Sequence, residues 1–159
     1  MVQYETILNN TFDPFNHFGF LTHRVARLLD IRMQQRLKDL GYDFPSSCLG
    51  VLANLWYEDG VTQSHLGYTL DKNKSSINKM LEALVSYELI EKREDPQDKR
   101  NKLIYLTEKG KLFQASVEES SKDLRSEFIN EYTEEELTTT KKVLKNFYLN
   151  LKNKISNDL

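Results

Sequence analysis

The segment from Thr62 to Thr107 decides the fold of this chain. It reads TQSHLGYTL over residues 62–70 and DKNKSSINKMLEALVSYELIEKREDPQDKRNKLIYLT over residues 71–107. Thr62 is a good N-cap for a first short helix, because its side-chain oxygen can accept a backbone N–H. A second helix is predicted after it, because apolar residues recur at the spacing of one helix face. These residues are Ile77, Met80, Leu81, Leu84 and Val85.

The second helix has a polar leading end, and a basic hairpin follows it. Residues 89–94 have the pattern of a strand, residues 95–101 are rich in turn formers, and residues 103–106 form a returning apolar strand. Two short helices followed by such a hairpin are typical of a winged helix-turn-helix, which is a DNA-reading unit. We therefore predict a DNA-binding head over approximately residues 44–107.

Long helices are predicted on both sides of this head. The first starts at Asp13, where Pro14 follows an N-cap candidate, and it ends at Gly41. The last one starts at Thr133, which forms a capping box with Glu136. Residues 1–12 have little periodic signal and are predicted to be a loose arm.

The flanking helices predict a homodimer. Their apolar stripes can pack within one chain, but a lone head does not need them. Two heads held roughly 34 Å apart can enter successive major grooves of DNA. We expect residues 13–41 and 108–157 to be dimerisation helices of a single domain over residues 1–159. The predicted fold class is mainly α with a small β-hairpin wing (α+β).

Positive charge is concentrated on the elements that this pattern would direct to DNA. The net charge of −2 argues mildly against a nucleic-acid binder, but residues 72–79 contain three Lys and no acid. Residues 92–102 contain more bases than acids, and the bases are Lys92, Arg93, Lys99, Arg100 and Lys102. A solvated charged face is the alternative explanation.

The composition argues against several other classes of protein. The chain has no apolar run near the roughly 18 residues of a membrane helix and no signal-peptide pattern, so we expect a cytoplasmic protein without a membrane partner. The single Cys permits no internal disulfide, and the three His lack metal-ligand spacing. Phosphate-loop and nucleophile motifs are absent from the sequence, so we expect no enzyme and no cofactor.

Four segments of the chain resemble the MarR-type (multiple antibiotic resistance regulator) transcription factors. They are FGFLTHRVARLL at residues 18–29, the helix-turn-helix at residues 66–84, DPQDKR at residues 95–100 and LTEKG at residues 106–110. The resemblance covers nearly the whole chain. It implies a homodimeric regulator of transcription, most often a repressor, that binds double-stranded DNA and responds to a small aromatic or phenolic ligand.

The resemblance implies that the second helix reads the major groove. It assigns this role to Ser75, Ser76 and Lys79, with Lys74 and Asn78 beside them. Asn can read adenine through two bonds, whereas Lys79 stands where Arg is more usual and is expected to contact phosphate. The alternative for the two Ser residues is ordinary helix capping. Residues 71–72 depart from the family turn, which usually has a Gly and an apolar residue.

The resemblance also implies that the hairpin tip enters the minor groove. Arg100 is the residue that would do so, and Asp98 would hold its guanidinium or steady the turn. Lys99 and Lys102 are expected to contact phosphates. The two bases on the outgoing strand are either DNA contacts or solubilising residues, and a surface salt bridge is the alternative for Asp98 and Arg100.

A ligand cleft is implied between the dimer helices and the head. The candidate lining residues are His17, His23, Arg24, Arg27, Trp56 and Tyr57. For each of them, an ordinary place in the core or on the surface is the more common alternative. Cys48 is a candidate for redox sensing, since it follows two Ser residues near a predicted helix start where the helix dipole lowers a thiol pKa. A buried, inert thiol is the favoured alternative.

One more alternative concerns the head itself. A winged helix can serve as a protein–protein interaction module that no longer binds DNA, and the acidic total charge of the chain leaves that class open. Salt dependence separates the two classes, because phosphate contacts make affinity fall steeply with salt.

Overall fold

The computed structural model describes residue 13 and residues 15–98, 100–129 and 131–157, with backbone only for 120–129 and 156–157. The predicted loose arm, Pro14 and Lys99 lie outside these residues. The helices are α1 (Phe18–Asp39), α2 (Cys48–Tyr57), α3 (Gln63–Thr69), α4 (Lys74–Ser86), α5 (Glu108–Ile129) and α6 (Glu134–Asn157). The strands are β1 (Val61–Thr62), β2 (Ile90–Glu94) and β3 (Lys102–Leu106). The predicted class, mainly helical with a small β wing, is confirmed.

The predicted start of the first helix at Asp13 is wrong. The Asp13 carboxylate accepts the backbone N–H of Phe15 at 2.8 Å, and its carbonyl accepts that of Asn16 at 3.1 Å. These bonds make a local turn, an alternative to helix that Asp side chains favour. His17 is the N-cap of α1 instead. The predicted stop is confirmed, because Gly41 has a φ of +84°, which suits Gly best.

The wing is part of a three-stranded antiparallel sheet with the order β1-β3-β2. Ile90 pairs with Leu106 at the base of the hairpin, and Glu94 pairs with Lys102 near its tip. The predicted hairpin is therefore confirmed. The third strand, β1, was not predicted, because a two-residue strand has no periodic signal of its own. In it, Val61 pairs with Ile104.

Most of the apolar core lies within the head. Leu66 of α3, Ile77, Leu81 and Leu84 of α4, and Ile104 of β3 are fully buried. Burying such a side chain contributes roughly 1.5–3 kcal/mol each. The predicted apolar face of α4 is thus confirmed along its centre, while Val85 at its edge remains 40% exposed.

The chain divides into two compact units, Met1–Ala115 and Ser116–Leu159. In the first unit, α1 buries Leu37 but exposes apolar side chains along its length. In the second unit, α6 exposes a similar set: Val143, Leu144, Phe147, Tyr148, Leu149, Leu151 and Ile155. Within the described ranges, no helix is both long and apolar enough to span a membrane.

Candidate nucleic-acid interface

The helix-turn-helix is built from two capped helices. Thr62 accepts the N–H of His65 at 3.1 Å and starts α3, as predicted. Asn73 accepts the N–H of Ser76 at 2.8 Å and starts α4. This cap was not predicted, although Asn is among the best N-cap residues and Asn73 stands directly before the Lys-Ser-Ser run. The ordinary capping alternative for Ser75 and Ser76 does not hold, because Asn73 has that role.

The turn between α3 and α4 is tight despite its unusual sequence. Asp71 has a φ of +52°, a left-handed conformation that Gly normally supplies and that Asp tolerates better than most residues. The N–H of Lys72 then donates to the carbonyl of Gly67 at 3.0 Å. A Cβ on Gly67 would lie 3.1 Å from the Lys72 carbonyl oxygen, so Gly67 permits this approach. The left-handed turn therefore forms without a Gly at its corner.

The polar end of α4 is presented to solvent. Lys74, Ser75 and Lys79 are exposed, while Ser76 and Asn78 are half-buried. The side-chain amide of Gln63 in α3 donates to the Lys74 carbonyl at 3.3 Å and ties the two helices together. A helix N-terminus with exposed Lys and Ser side chains suits an anionic partner, because the helix dipole and the free N–H groups add to the positive charge.

Asp98 holds Arg100 at the tip of the wing. The Arg100 Nε donates to Asp98 Oδ1 at 3.0 Å, and the Arg100 Nη2 donates to Asp98 Oδ2 at 3.1 Å. The guanidinium therefore forms a bidentate pair with the carboxylate. The Arg100 backbone N–H donates to the same carboxylate at 3.1 Å. Both predicted roles of Asp98 therefore occur together. These bonds hold the pKa of the Asp98 carboxyl below its usual range, and the carboxylate raises the pKa of Arg100.

The other bases of the wing are less free than the sequence indicates. Arg93 forms an ion pair with Glu91, and its guanidinium lies 4.5 Å above the centre of the Tyr105 ring. Lys102 forms an ion pair with Glu94 at 3.0 Å on the paired strand. Lys92 is exposed. The hairpin therefore carries its charges in cross-strand and neighbouring pairs, with the Arg100 side chain 90% exposed at the tip.

An aromatic cluster fixes the end of α4. Tyr87, the C-cap of α4, packs its ring 5.3 Å from Phe44 and 5.5 Å from Tyr42. Phe113 of α5 closes the cluster, with its ring centre 4.5 Å from that of Tyr42. The Tyr87 hydroxyl also accepts the N–H of Asp43 at 3.0 Å. The reading helix is thus anchored at its far end by residues 42–44, which in turn pack against Phe113 of α5.

The ligand-cleft candidates have other surroundings in the structure. His17, His23 and Arg27 are exposed on and just before α1. Trp56 donates its indole N–H to the carbonyl of Gly110 at 3.2 Å, which is a packing role, and Tyr57 is 92% exposed. Arg24 lies 4.5 Å above the centre of the Phe15 ring. A binding role for these residues stays a prediction.

Cys48 is a buried thiol. It is the first residue of α2 and only 1% exposed, and burial raises its pKa to about 11. This agrees with the favoured expectation of an inert thiol, because loss of water around the thiolate disfavours its charged form. The inert-thiol alternative describes Cys48 better than the redox-sensing one.

Comparison with known proteins agrees with this geometry. A search of curated proteins gave no significant match. Reduced AbfR bound to DNA is 28% identical, with 98% of this chain and 99% of that one aligned and a TM-score of 0.73. A cysteine-to-serine mutant of MarR from E. coli complexed with operator DNA is 25% identical, with 87% and 98% aligned and a TM-score of 0.73.

Two further comparisons concern the fold and the family. A MarR transcriptional regulator from Methanosarcina mazei Go1 has the same fold at 22% identity, with 84% of this chain and 96% of that one aligned and a TM-score of 0.74. The family model described as MarR family matches residues 47–102, which contain α2, α3, α4, β2 and the tip of the wing. This chain therefore matches the MarR family model over the helix-turn-helix and the outgoing half of the wing, and it shares its fold with MarR regulators over most of its length.

Proposed function

We propose that this protein is a homodimeric transcription regulator of the repressor type, which acts in the cytoplasm on a pseudo-palindromic operator. The α4 helix reads the major groove, and the wing enters the adjacent minor groove. The observation that carries the proposal is the pairing of Asp98 with Arg100, which presents an oriented cation at the end of the hairpin. The three bonds from Arg100 to the Asp98 carboxylate hold both the turn and the direction of the guanidinium.

The charge and polarity of α4 support the major-groove assignment. Its leading end presents Lys74, Ser75 and Lys79 to solvent, and the Asn73 cap leaves those side chains available for other partners. Lys side chains on this helix contribute phosphate contacts that are independent of sequence, while Ser and Asn reach base edges. The aromatic cluster at Tyr87 holds the opposite end of the helix, so the reading end is presented on a rigid support.

The geometry of the hairpin supports the minor-groove assignment. A narrow minor groove of an A·T tract concentrates negative potential, which favours an inserted guanidinium. Arg100 is already oriented before binding, so less side-chain entropy is lost when it enters the groove. Lys102 and Arg93 lie further back on the hairpin in ion pairs, where they suit phosphate contacts at the groove edge.

The exposed apolar residues of α1 and α6 support the dimer. Leu28 is 62% exposed on α1, and Ile155 is 58% exposed on α6. Contiguous apolar surface of this kind is unfavourable on a monomer and is characteristic of a subunit interface. A dimer also gives two heads related by a two-fold axis, which matches an operator with two half-sites.

The relatives supply independent support, since AbfR at 28% identity and the E. coli MarR mutant at 25% are both described in complexes with DNA. AbfR is described in reduced and in overoxidized form. We do not extend oxidant control to this chain through Cys48, because its thiol is buried. Release by a small aromatic or phenolic ligand is retained as a prediction.

The test is fluorescence anisotropy of the purified protein with its own upstream DNA and with a scrambled duplex, at two salt concentrations. We expect preference for the upstream duplex and an affinity that falls steeply as salt rises, because several phosphate contacts release counterions. If neither duplex is bound at low salt after the protein has been unfolded and refolded to remove any carried ligand, the interaction-module alternative is favoured instead.

A further inference from the structure

Asn78 and Glu82 form a hydrogen bond on the exposed side of the reading helix. The side-chain nitrogen of Asn78 donates to a carboxylate oxygen of Glu82 at 2.7 Å, one helical turn further along α4. Asn78 is half-buried and Glu82 is exposed. The bond is charge-assisted, and residues four apart can form it without leaving the helix surface.

This bond determines which way round the Asn78 amide lies. An ionised carboxylate can only accept a hydrogen bond, so the amide nitrogen and not the oxygen must face Glu82. Within the described residues, the Asn78 Oδ1 atom has no hydrogen-bond donor. This oxygen is the amide atom that remains for a partner outside the chain.

The orientation matters for reading DNA. An Asn reads adenine through two bonds, because its oxygen accepts from N6 and its nitrogen donates to N7. When the nitrogen is engaged by a carboxylate, only the accepting oxygen is left. That oxygen can take a bond from N6 of adenine or from N4 of cytosine, and both bases present such a donor in the major groove.

We propose that Glu82 is a positioning residue that sets the base preference of Asn78, so that Asn78 acts as an acceptor for adenine or cytosine and does not read adenine through two bonds. This inference rests on the proposed function, since it assumes that α4 reads DNA. Glu82 lines a surface cavity of about 480 Å³ together with Lys92 of the wing. Lys92 is exposed and adds a positive charge to the lining of the same cavity.

The test uses a duplex that the wild-type protein enriches from a random-sequence pool. The base pair read by Asn78 is identified as the pair at which Asn78→Ala loses its preference. At that pair, adenine is then replaced by 7-deazaadenine, which lacks the N7 acceptor but keeps the N6 donor. We expect the wild-type protein to tolerate this replacement with less than about a twofold loss, because N7 is not contacted.

The variant Glu82→Ala releases the amide nitrogen. Asn78 should then bind adenine through both atoms, so that discrimination of adenine over cytosine rises roughly fivefold or more and 7-deazaadenine becomes unfavourable to a similar degree. Glu82→Gln keeps an oxygen acceptor and should show a smaller change. Glu135→Ala is a matched control, since it removes one exposed carboxylate from α6 and should leave base preference unchanged.

Two results would overturn the inference in different ways. A clear loss of wild-type affinity with 7-deazaadenine, unchanged by Glu82→Ala, means that Asn78 reads both atoms of adenine despite Glu82, and the proposed function stands. Failure to enrich any duplex overturns the proposed function and this inference with it. Thermal unfolding of each variant shows whether a change in preference reflects positioning or a damaged fold.

Discussion

Gly110 lies so close to Leu89 that a Cβ atom on residue 110 would come within 2.0 Å of the Leu89 carbonyl oxygen. Leu89 follows the turn that ends the reading helix, and Gly110 lies in the first turn of α5. Thr107 strengthens the same joint, because its N–H donates to the Leu89 carbonyl at 3.1 Å and its hydroxyl donates to the Glu88 carbonyl at 2.6 Å. The start of α5 is thus fastened to the end of α4.

Gly110→Ala should strongly destabilise the head. The clash is with backbone, so no rotamer change relieves it, and separation of α5 from this turn should cost roughly 2–3 kcal/mol or more. The separation would also disturb the bond between Trp56 and the Gly110 carbonyl. Urea unfolding at one fixed protein concentration measures the change.

Gly19→Ala is the matched control for that substitution. Its Cβ would meet the His17 ring at 3.6 Å, an ordinary contact, and Ala favours helix by up to about 1 kcal/mol. Equal stability losses in the two variants would show that the close approach to Leu89 is not what requires Gly110.

Glu88→Gly should stabilise the protein. Glu88 has a φ of +59° in a turn where Leu89 N–H donates to Leu84 at 3.0 Å and Glu88 N–H donates to Val85 at 2.9 Å, the hydrogen-bond pattern of a Schellman motif. Gly adopts the left-handed conformation without the strain that a side chain causes, but it also raises the entropy of the unfolded chain. The net increase in the free energy of unfolding should be roughly 0.5–1 kcal/mol. Its ion pair with Lys109 spans 3.8 Å on the surface and contributes little.

The reverse substitution at another left-handed position provides the comparison. Gly41 has a φ of +84°, and a Cβ atom added there would have no neighbouring atom within 4 Å. Gly41→Ala should therefore lower the free energy of unfolding by backbone strain alone, by roughly 1 kcal/mol. If Glu88→Gly lowers the denaturation midpoint instead, the side chain of Glu88 contributes more than its backbone costs.

Arg100→Ala should weaken DNA binding most at A·T-rich flanks. The guanidinium is expected to enter a narrow minor groove, which is a feature of A·T tracts. Anisotropy titrations with A·T-rich and G·C-rich flanks around one central site measure the difference. An equal loss on all sequences would identify Arg100 as a phosphate contact only.

The same pair predicts a pH effect of defined sign. Arg100 lowers the pKa of Asp98, so their interaction is present above the ordinary Asp pKa and is lost as pH falls through the lowered value. An NMR titration of the Asp98 carboxyl should therefore find a low pKa, and Arg100→Ala should raise it. An unchanged pKa in that variant would show that the two groups do not interact in solution.

Cys48 should be unreactive in the folded protein. With a pKa of about 11 and almost no exposure, its thiolate fraction at pH 8 is roughly one in a thousand, and reagents cannot reach it. Thiol labelling should begin only in denaturant, and peroxide should leave DNA affinity unchanged. Labelling of the native protein at the rate of a free thiol would restore the redox alternative.

Replacing Leu144 and Leu151 by Glu should give monomers with poor DNA affinity. Both side chains are exposed to over 40% on α6, and a charge at each would oppose burial in a subunit interface. Sedimentation analysis measures the oligomeric state. Asn150→Glu adds a charge at a neighbouring exposed polar position and should remain dimeric, whereas a dimeric double variant would place the interface elsewhere.

Local signals in the sequence determined much of this protein. The apolar spacing over residues 77–84 predicted α4, and the alternation and turn residues over 89–106 predicted the wing. Thr133 and Glu136 form the predicted capping box, with the Glu136 N–H donating to the Thr133 hydroxyl at 3.2 Å and the Thr133 N–H donating back to Glu136 at 2.8 Å. These features depend on residues within one short stretch of the chain, so the sequence pattern carries them directly.

Other features depended on tertiary structure, because they join residues that are distant in the sequence or compete for one partner. The short strand at Val61 exists through pairing with Ile104, and the indole of Trp56 is engaged by Gly110. The raised pKa of Cys48 follows from burial, which depends on how distant segments pack around the thiol. The Asp13 side chain could stabilise either a turn or the start of a helix, and in the structure it stabilises the turn. Sequence patterns thus determined the elements and the charged groups, while packing decided which of those groups remain free to act.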